Sequence, residues 1–308
     1  MSLVLVSSRR FVDHVTPAGH PERPERAETL LAVAASFKEQ GGEVIEPRAA
    51  TDEDLLRVHT QEHIDAIVAT RGKATMIDED TFTSPDSDDI ARLAAGAVLT
   101  GVDRVLDGPS GSRALVLVRP PGHHAEADRA MGFCLYSNIA VGAAYARSRG
   151  CARVAIVDYD VHHGNGTQWI FYEDPTVLFV SSHQYPLYPG TGAAEEKGRG
   201  AGVGFTLNLP LVIGTKDEEV ERQYEEQVYP ALCGFKPDLL MISAGFDAHE
   251  LDPLGQLRMT TQGFGRLTRQ LLTVADELCE GRVVLVTEGG YHLDALRDSL
   301  TMVIDVAR

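Results

Sequence analysis

The sequence predicts an α/β fold, a single-domain, open, mostly parallel doubly wound sheet with its active site at the C-terminal ends of the strands. Six short runs rich in β-branched residues are continuously apolar, which is typical of strands buried on both faces of a parallel sheet. Helical patterns separate these runs, and strands that alternate with helices indicate βαβ units. Histidines and aspartates gather directly after the strands, where ligands bind in open α/β sheets.

The predicted elements follow one another along the chain. The six strands are Leu3–Val6, Ala114–Val118, Val154–Val157, Val177–Val180, Asp238–Ile242 and Val283–Val286. The four helices are the amphipathic Pro24–Phe37, the long, alanine-rich Asp86–Leu106, the small and apolar Leu135–Arg147, and Thr260–Leu278, which ends before Gly281. Because no repeat, low-complexity tract or linker divides the chain, residues 1–308 are expected to form one domain.

The composition argues against several classes of function. The chain carries 28 Lys and Arg residues against 45 Asp and Glu, a formal net charge of −17. This acidity argues against direct binding to nucleic acid or to an anionic membrane, since both depend on basic side chains. The four cysteines form no Cys-x-x-Cys pair, and no apolar run is long enough for a signal peptide or a membrane span. We therefore expect a reduced, cytoplasmic protein without a disulfide framework.

Five polar segments directly follow predicted strands. They are Arg119–His124, Asp158–Gly166, Ser181–His183, Ser243–His249 and Thr287–His292, and they hold seven of the eleven histidines. Histidines placed at random would not gather in this way. The carboxyl ends of parallel strands meet at one edge of the sheet, so these segments predict an active site there.

One of these segments has the spacing of a metal site. Asp158, Asp160 and His162 stand at alternate positions, so they point to one side while the chain stays extended. Asp160 and His162 could share an ion, with Asp247 from a neighbouring strand end as third ligand. Two carboxylates and one imidazole suit a catalytic metal with an open position; zinc is the default, and Fe(II) and Mn(II) stay open. The alternative is that the aspartates cap the following helix and the histidines fill space.

The adjacent pair His123-His124 follows two prolines and a glycine, which hold the backbone in a turn. Alone, such a pair is expected at the surface. Beside a metal site, two imidazoles fit a general base and a general acid. Asp158 and Asn165 are available to orient one ring each, and a carboxylate and an amide would set the two pKa values apart.

Tyr291 follows Gly289 and Gly290 at the last strand end, where paired glycines allow a close approach of the backbone. Its phenol could donate a hydrogen bond to an oxyanion beside the metal. The alternative is a core tyrosine at the start of a helix. Remaining aromatic and histidine side chains receive simpler interpretations: Trp169 is expected in the core, and His14, His59 and His63 are expected at the surface or as helix caps.

Together these segments resemble the histone deacetylase superfamily, including bacterial acetylpolyamine amidohydrolases and class II deacetylase-like proteins. The resemblance extends from His14 to Tyr291, and its motifs stand in the order found in the family. The motifs are Gly19–Arg26, Arg119–Ala125, Asp158–Gln168, Tyr188–Gly192, Ser243–His249 and Gly289–Tyr291. The resemblance implies an arginase/deacetylase-like fold and one deacetylase-like catalytic domain.

The resemblance implies a zinc-dependent amidohydrolase that removes acetyl or other short acyl groups from lysine side chains. It implies one Zn²⁺ per chain, held by Asp160, His162 and Asp247. It further implies these catalytic residues: His123 and His124, with His124 as the base, and Tyr291 as the oxyanion donor. Asp158 and Asn165 would orient the histidines, and the asparagine is similar to the class II pattern.

The resemblance also implies a substrate channel and a second ion. Phe133 and Tyr188 match the aromatic walls of an acyl-lysine channel, and the Gly132 carbonyl would accept the substrate N–H. Leu254 matches a position that is glutamate in a polyamine-selective branch, so leucine favours acyl-lysine. A structural K⁺ ion would be held by Asp158, Asp160, His162 and Ser181.

Three alternatives stay open at this point. The first is an acetylpolyamine amidohydrolase, which the acidic composition would also suit. The second is an arginase-like ureohydrolase, whose chemistry uses two manganese ions. The third is a non-catalytic module that binds acyl-lysine or a small molecule. The expected partners are an acylated lysine peptide or protein or an acetylated polyamine, without nucleic acid or membrane, and oligomerisation is possible.

Overall fold

A computed structural model describes residues 2–308, and its centre is an eight-stranded sheet in which all neighbouring strands are parallel. The ten strands of the chain are β1 Ser2–Val6, β2 Glu43–Ile45, β3 Thr75–Met76, β4 Phe82–Thr83, β5 Ser112–Val116, β6 Val154–Asp158, β7 Val177–Gln184, β8 Thr206–Leu211, β9 Leu239–Ala244 and β10 Val283–Thr287. Strands β3 and β4 form a separate antiparallel pair. The predicted fold class is confirmed.

The strand order explains how distant segments become neighbours. Across the sheet the order is β2-β1-β5-β10-β9-β6-β7-β8. The last two strands of the chain, β9 and β10, therefore lie between β5 and β6, in the middle of the sheet. Because the strands are parallel, the segments that follow these four central strands all emerge at one edge.

Helices cover both faces of the sheet. They are α1 Pro24–Glu39, α2 Asp52–Leu55, α3 Gln61–Val68, α4 Ser87–Leu106, α5 Asn138–Ser148, α6 Asn165–Phe171, α7 Asp217–Gln223, α8 Tyr229–Phe235, α9 Thr261–Leu278 and α10 Leu293–Ala307. Side chains of α1, α9 and α10 form the core on one face, while α4 and α5 pack on the other. Within β5, Leu115 points to the first core and Val116 to the second. This double burial explains the continuous apolar runs.

Several predicted boundaries differ from the structure. Strands β2, β3, β4 and β8 are not among the predicted strands. The first three are only two or three residues long, and β8 is an edge strand that contains the exposed Pro210. The strand expected to end at Val180 continues to Gln184 because its polar end pairs with β8. Helix α5 begins at Asn138 rather than Leu135. Within residues 2–308, no helix is both long and apolar enough to cross a membrane.

Of the predictions for four side chains away from the strand ends, three are wrong. His14, expected at the surface or as a helix cap, is buried and is the C-cap of a short 3₁₀ helix at Arg9–Asp13, so its capping alternative is confirmed. His59 and His63 are buried, and the neighbouring helices have Leu56 and Thr60 as caps instead. Each of the three histidines has a specific hydrogen bond; for example, Nδ1 of His14 lies 2.7 Å from Oγ of Ser87. Trp169 is 38% exposed rather than part of the core. Helix packing determines these positions, and the local sequence pattern does not reveal it.

Candidate active site

Three potential metal ligands converge where β6 and β9 end. The ligand atoms of Asp160, His162 and Asp247 all lie within 4.8 Å of one another, the only such group of three found in residues 2–308. Nδ1 of His162 lies 3.1 Å from a carboxylate oxygen of each aspartate. A tetrahedral ion with bonds near 2.0–2.2 Å holds its ligand atoms about 3.3 Å apart. The predicted ligands therefore have a spacing that fits one ion.

Backbone N–H groups orient the carboxylates of Asp160 and Asp247. The N–H of Gly289 donates to Oδ2 of Asp160 at 2.8 Å, and the N–H of Val161 donates to Oδ1 of Asp247 at 2.9 Å. A Cβ atom at Gly289 would collide with both carboxylates, and one at Gly245 would collide with Asp160. Glycine at these two positions makes room for the carboxylates.

The buried carboxylates of the site carry more negative charge than the imidazole of the ligand set, His162, can neutralise. Four acidic residues are fully buried here: Asp158, Asp160, Asp247 and Glu288. Burial alone would lower the pKa of His162, but the hydrogen-bonded Asp160 and Asp247 raise it to about 10. Burial, together with the neighbouring Asp160, raises the pKa of Asp247 to about 7. A cation placed between these carboxylates would relieve their repulsion, so the donor set fits a divalent metal.

Different groups orient the two predicted catalytic imidazoles. Nδ1 of His123 lies 3.0 Å from Oδ2 of Asp158, and Nδ1 of His124 lies 2.8 Å from Oδ1 of Asn165. The amide nitrogen of Asn165 donates to Oε1 of Glu126 at 2.8 Å, which fixes the amide oxygen toward His124. Nδ1 of His124 must therefore donate, and its Nε2 is left as an acceptor.

The two imidazoles have opposite pKa shifts. Burial alone would lower the pKa of His123, but the carboxylates of Asp160 and Asp158 raise it to about 10. Burial, reinforced by His123 and His162, lowers the pKa of His124 well below its usual value. One ring is therefore held protonated and the other neutral, as expected for a carboxylate partner and an amide partner.

Tyr291 is held at the site by its backbone and its ring. Its N–H donates to Oδ2 of Asp252 at 2.7 Å, and the guanidinium of Arg26 lies 4.9 Å from the ring centroid. Within residues 2–308, no protein group hydrogen-bonds to its phenol oxygen. Burial raises the pKa of this phenol well above its usual value, although Arg26 opposes the shift. The phenol therefore stays protonated and is free to donate.

A channel of about 260 Å³ lies beside these groups. His124, His162 and Tyr291 line it together with the four predicted channel residues, which are Gly132, Phe133, Tyr188 and Leu254. Gly132 has φ +57° and lies so close to the ring of His124 that a Cβ atom would collide with it. The channel also has a carboxylate that the sequence did not single out, Asp80.

The predicted monovalent cation site lies on the same strands. Asp158 and Ser181 are register partners in β6 and β7, and the N–H of Asp160 donates to Oδ1 of Asp158 at 3.1 Å. These residues are fully buried. The four residues expected to hold K⁺ are therefore neighbours, and the ion itself stays a prediction.

The family model for the histone deacetylase domain matches residues 20–307. The chain belongs to the histone deacetylase family. It is 40% identical over 293 residues to a probable deacetylase of Archaeoglobus fulgidus, covering 94% of this chain and 81% of that protein. It is also 40% identical over 287 residues to a histone deacetylase-like amidohydrolase of Pseudomonas aeruginosa, covering 91% of this chain and 75% of that protein. The protein is therefore a deacetylase, a hydrolase.

A solved structure supports the same conclusion. The crystal structure of the HDA15 HD domain matches this chain with a TM-score of 0.92 and 39% sequence identity. The match covers 99% of this chain and 88% of that chain. The doubly wound parallel sheet is thus that of a histone deacetylase domain.

This deacetylase has a buried ion network next to Tyr291 that no local sequence pattern predicts. Oε1 of Glu22 accepts from Nη1 of Arg26 at 3.0 Å and from Nε of Arg119 at 2.6 Å, and all three side chains are fully buried. Arg26 also donates to the carbonyl oxygens of Glu288 and Gly290. The network therefore supports the backbone that presents Tyr291. Glu22 and Arg26 both belong to the Gly19–Arg26 motif, but Glu22 lies before α1, so helical spacing does not predict their contact.

Glu288 and Asp252 are two further supporting acids that sequence reasoning missed. Oε2 of Glu288 accepts from the N–H groups of Gly122 and His123, at 2.7 and 3.1 Å, and holds the turn that carries the histidine pair. Asp252 accepts from the N–H groups of Tyr291 and His292. Both acids stand in or just beyond segments that follow strands, but only the folded chain reveals their partners.

We expect Glu22→Gln to lower the free energy of unfolding by about 3–5 kcal/mol, because it leaves two buried guanidinium groups without their carboxylate. Burial alone would raise the pKa of Glu22, but Arg119 and Arg26 lower it below 4.5. The stabilisation is therefore present above the unfolded pKa and is lost as the pH falls through the folded one. Urea unfolding at pH 7 and at acidic pH measures both effects.

Glu28→Gln is the matched control, since Glu28 is exposed on α1, just after Glu22 in the chain, and forms no ion pair within residues 2–308. This control should unfold like the wild type. If Glu22→Gln lost no more stability than Glu28→Gln, the buried network would not support the fold as described.

Proposed function

We propose that this deacetylase is a zinc-dependent amidohydrolase that removes acetyl or other short acyl groups from lysine side chains. One observation carries the proposal: a divalent-ion ligand set, an oriented neutral imidazole and a protonated phenol meet at one channel. These groups are the parts that metal-assisted amide hydrolysis needs. Residues 1–308 would then act as one catalytic domain.

In the proposed mechanism, each group has one task. When bound, a divalent ion would polarise the acyl carbonyl as a Lewis acid and would lower the pKa of a water molecule from ~16 toward ~7. Nε2 of His124 accepts a proton as water attacks the carbonyl carbon. The phenol of Tyr291 donates a hydrogen bond to the oxyanion that develops. The C–N bond then breaks, and the histidine pair returns a proton to the departing amine.

Zinc is the metal we propose, with one ion per chain. Asp160, His162 and Asp247 provide two oxygens and one nitrogen, which with an open position suits catalytic zinc. We also propose K⁺ as a structural ion beside Asp158 and Ser181. Metal analysis after zinc loading tests the stoichiometry, and two manganese ions per chain would instead support arginase-like chemistry.

The channel supports lysine as the amine that carries the acyl group. Phe133 and Tyr188 provide aromatic walls for an alkyl chain, and the Gly132 carbonyl could accept the substrate N–H. Leu254 lines the channel without a carboxylate to attract the second amine of an acetylated polyamine. An acetylated polyamine is the alternative substrate, since Asp80 lies at the same channel.

A substrate panel tests the proposal. We expect zinc-loaded protein to hydrolyse an acetyl-lysine peptide faster than N-acetylputrescine, and metal-free protein to hydrolyse neither. Leu254→Glu should shift the ratio of kcat/KM toward N-acetylputrescine by about fivefold, the value of a partly exposed ion pair near 1 kcal/mol.

Leu254→Gln is the matched control, because it has the shape of the glutamate without its charge and should leave the ratio nearly unchanged. Faster turnover of N-acetylputrescine by the wild type would contradict the preference for lysine. Zinc-loaded protein that hydrolyses no amide would instead support a binding module.

A further inference from the structure

An apolar groove lies beside the channel and is not used by the chemistry described above. It is formed between residues 13–17 and the β3–β4 hairpin with the turn that follows it, and it has a volume of about 560 Å³. Val15 and Met76 line it and are 55% and 66% exposed. We call it the hairpin groove. Exposed apolar side chains gathered in one concave surface are typical of a binding site.

The hairpin groove shares a wall with the channel. The ring of Phe82, which lines the groove, packs edge-to-face on His20 at 5.5 Å, and His20 packs on Phe133 of the channel at 4.8 Å. The N–H of Phe133 donates to Oγ1 of Thr81 at 3.1 Å. Asp80, which lines the channel, is only two residues from Phe82, a separation of at most about 7 Å along the chain. A chain that leaves the channel beside Phe133 and Asp80 therefore reaches the groove within a few residues.

The surroundings of the groove are acidic. Asp13 and Asp86 line it, and the acidic run 78–80 forms the hairpin loop. Within residues 2–308 Asp86 forms no ion pair, while Asp13 has Arg10 at 3.6 Å. The groove would therefore favour an apolar segment that carries a positive charge at its end.

One of the two cations of the neighbouring segment is already ion-paired. Arg71 is paired with Asp88 and Asp89, and the ammonium of Lys73 donates to the carbonyl oxygen of Ala69. The charge of Arg71 is therefore already balanced, whereas Lys73, bonded to a neutral carbonyl, keeps its charge. Asp86 forms no ion pair within residues 2–308 and is available to a basic side chain of a bound molecule.

We propose that the hairpin groove binds the stretch of a substrate polypeptide next to the acylated lysine, taking one or two apolar side chains followed by a basic residue. The inference rests on the proposed function and deepens it, because it identifies the substrate class as polypeptide. A polyamine has no side chain to place in an apolar groove, and the polar channel chemistry alone does not distinguish the two classes.

Three acetyl-lysine substrates test the groove. The first is a blocked acetyl-lysine without neighbours, the second a peptide with two leucines and then an arginine beside the acetyl-lysine, and the third the same peptide with serines for leucines. We expect kcat/KM of the wild type to be about tenfold higher on the leucine peptide than on the serine peptide, mainly through KM. Met76→Asp and Val15→Asp should each remove most of this difference.

The blocked acetyl-lysine should be hydrolysed equally by the wild type and both variants, because it does not reach the groove. Val203→Asp is the matched control, since Val203 is 62% exposed and precedes β8 at the other end of the sheet. This control should behave like the wild type on all three substrates.

Binding is measured separately from turnover, by fluorescence anisotropy of the labelled leucine peptide with Tyr291→Phe protein in place of wild type. The double variant carries both Tyr291→Phe and Met76→Asp. If this double variant lost binding of the leucine peptide while the wild type hydrolysed no substrate, the result would support the groove and overturn the proposed function. Equal kcat/KM on the leucine and serine peptides, with normal turnover of acetyl-lysine, would overturn the groove alone. Absence of both binding and turnover would overturn both. Self-association of the protein that Met76→Asp abolishes would assign the groove to a second copy and overturn its role in substrate binding.

Discussion

We expect Asp247→Asn to lower kcat/KM on an acetyl-lysine peptide by about 10³ or more and to prevent stoichiometric binding of zinc. The amide oxygen can still accept from the N–H of Val161, so the loop keeps its position. The NH₂ group then faces His162 and the ion, where a carboxylate oxygen would have been a ligand. A divalent ion supplies several kcal/mol of transition-state stabilisation, and each 1.36 kcal/mol is a factor of ten in rate.

Metal content and rate are both measured for this variant. Elemental analysis after zinc loading and desalting should give one zinc per wild-type chain and almost none per variant chain. Asp276→Asn is the control, because Asp276 pairs with Arg113 near the start of β5, at the edge of the sheet opposite the site. A variant that kept both its zinc and its turnover would remove Asp247 from the ligand set.

We expect Tyr291→Phe to lower kcat on the same substrate by on the order of 10²–10³, with a much smaller effect on KM. The phenol is protonated and uncommitted, so it can donate when negative charge develops on the acyl oxygen. Because the hydrogen bond strengthens in the transition state, its loss is expected in kcat rather than in substrate binding.

The variant should otherwise match the wild type. Asp252 holds the backbone N–H of Tyr291, and Arg26 packs on the ring, so neither contact involves the deleted oxygen. Zinc content and the urea midpoint are therefore expected to stay unchanged. Full turnover by Tyr291→Phe would show that another group stabilises the oxyanion.

Much of the candidate site could be predicted because its residues are close in sequence to strand ends. Asp160 and His162 stand two positions apart directly after β6, and His123-His124 follows the segment leaving β5. Parallel strands place all such segments at one edge, so the sequence order is enough to group them. The side-chain partners of the two histidines, Asp158 and Asn165, were also expected and lie within hydrogen-bond distance.

The supporting residues could not be predicted in this way. Glu22 comes from the chain before α1 and meets Arg119 almost a hundred residues later. Glu126 fixes the amide of Asn165 and so decides which nitrogen of His124 carries the proton. These partners come from loops, and a local pattern does not encode which loop packs on which.

The sequence by itself determined the fold class, the strand-end location of the site and the residue types that gather there. The apolar runs and the polar segments that follow them are local properties of the sequence. They predict the site correctly because parallel strands share one direction, which places all these segments at the same edge of the sheet. Only the tertiary structure decided that β9 and β10 lie between β5 and β6, which brings Asp247 to Asp160 and Tyr291 to the channel. It also decided the tautomer of His124 and the groove beside the channel, because both depend on contacts between segments far apart in the chain.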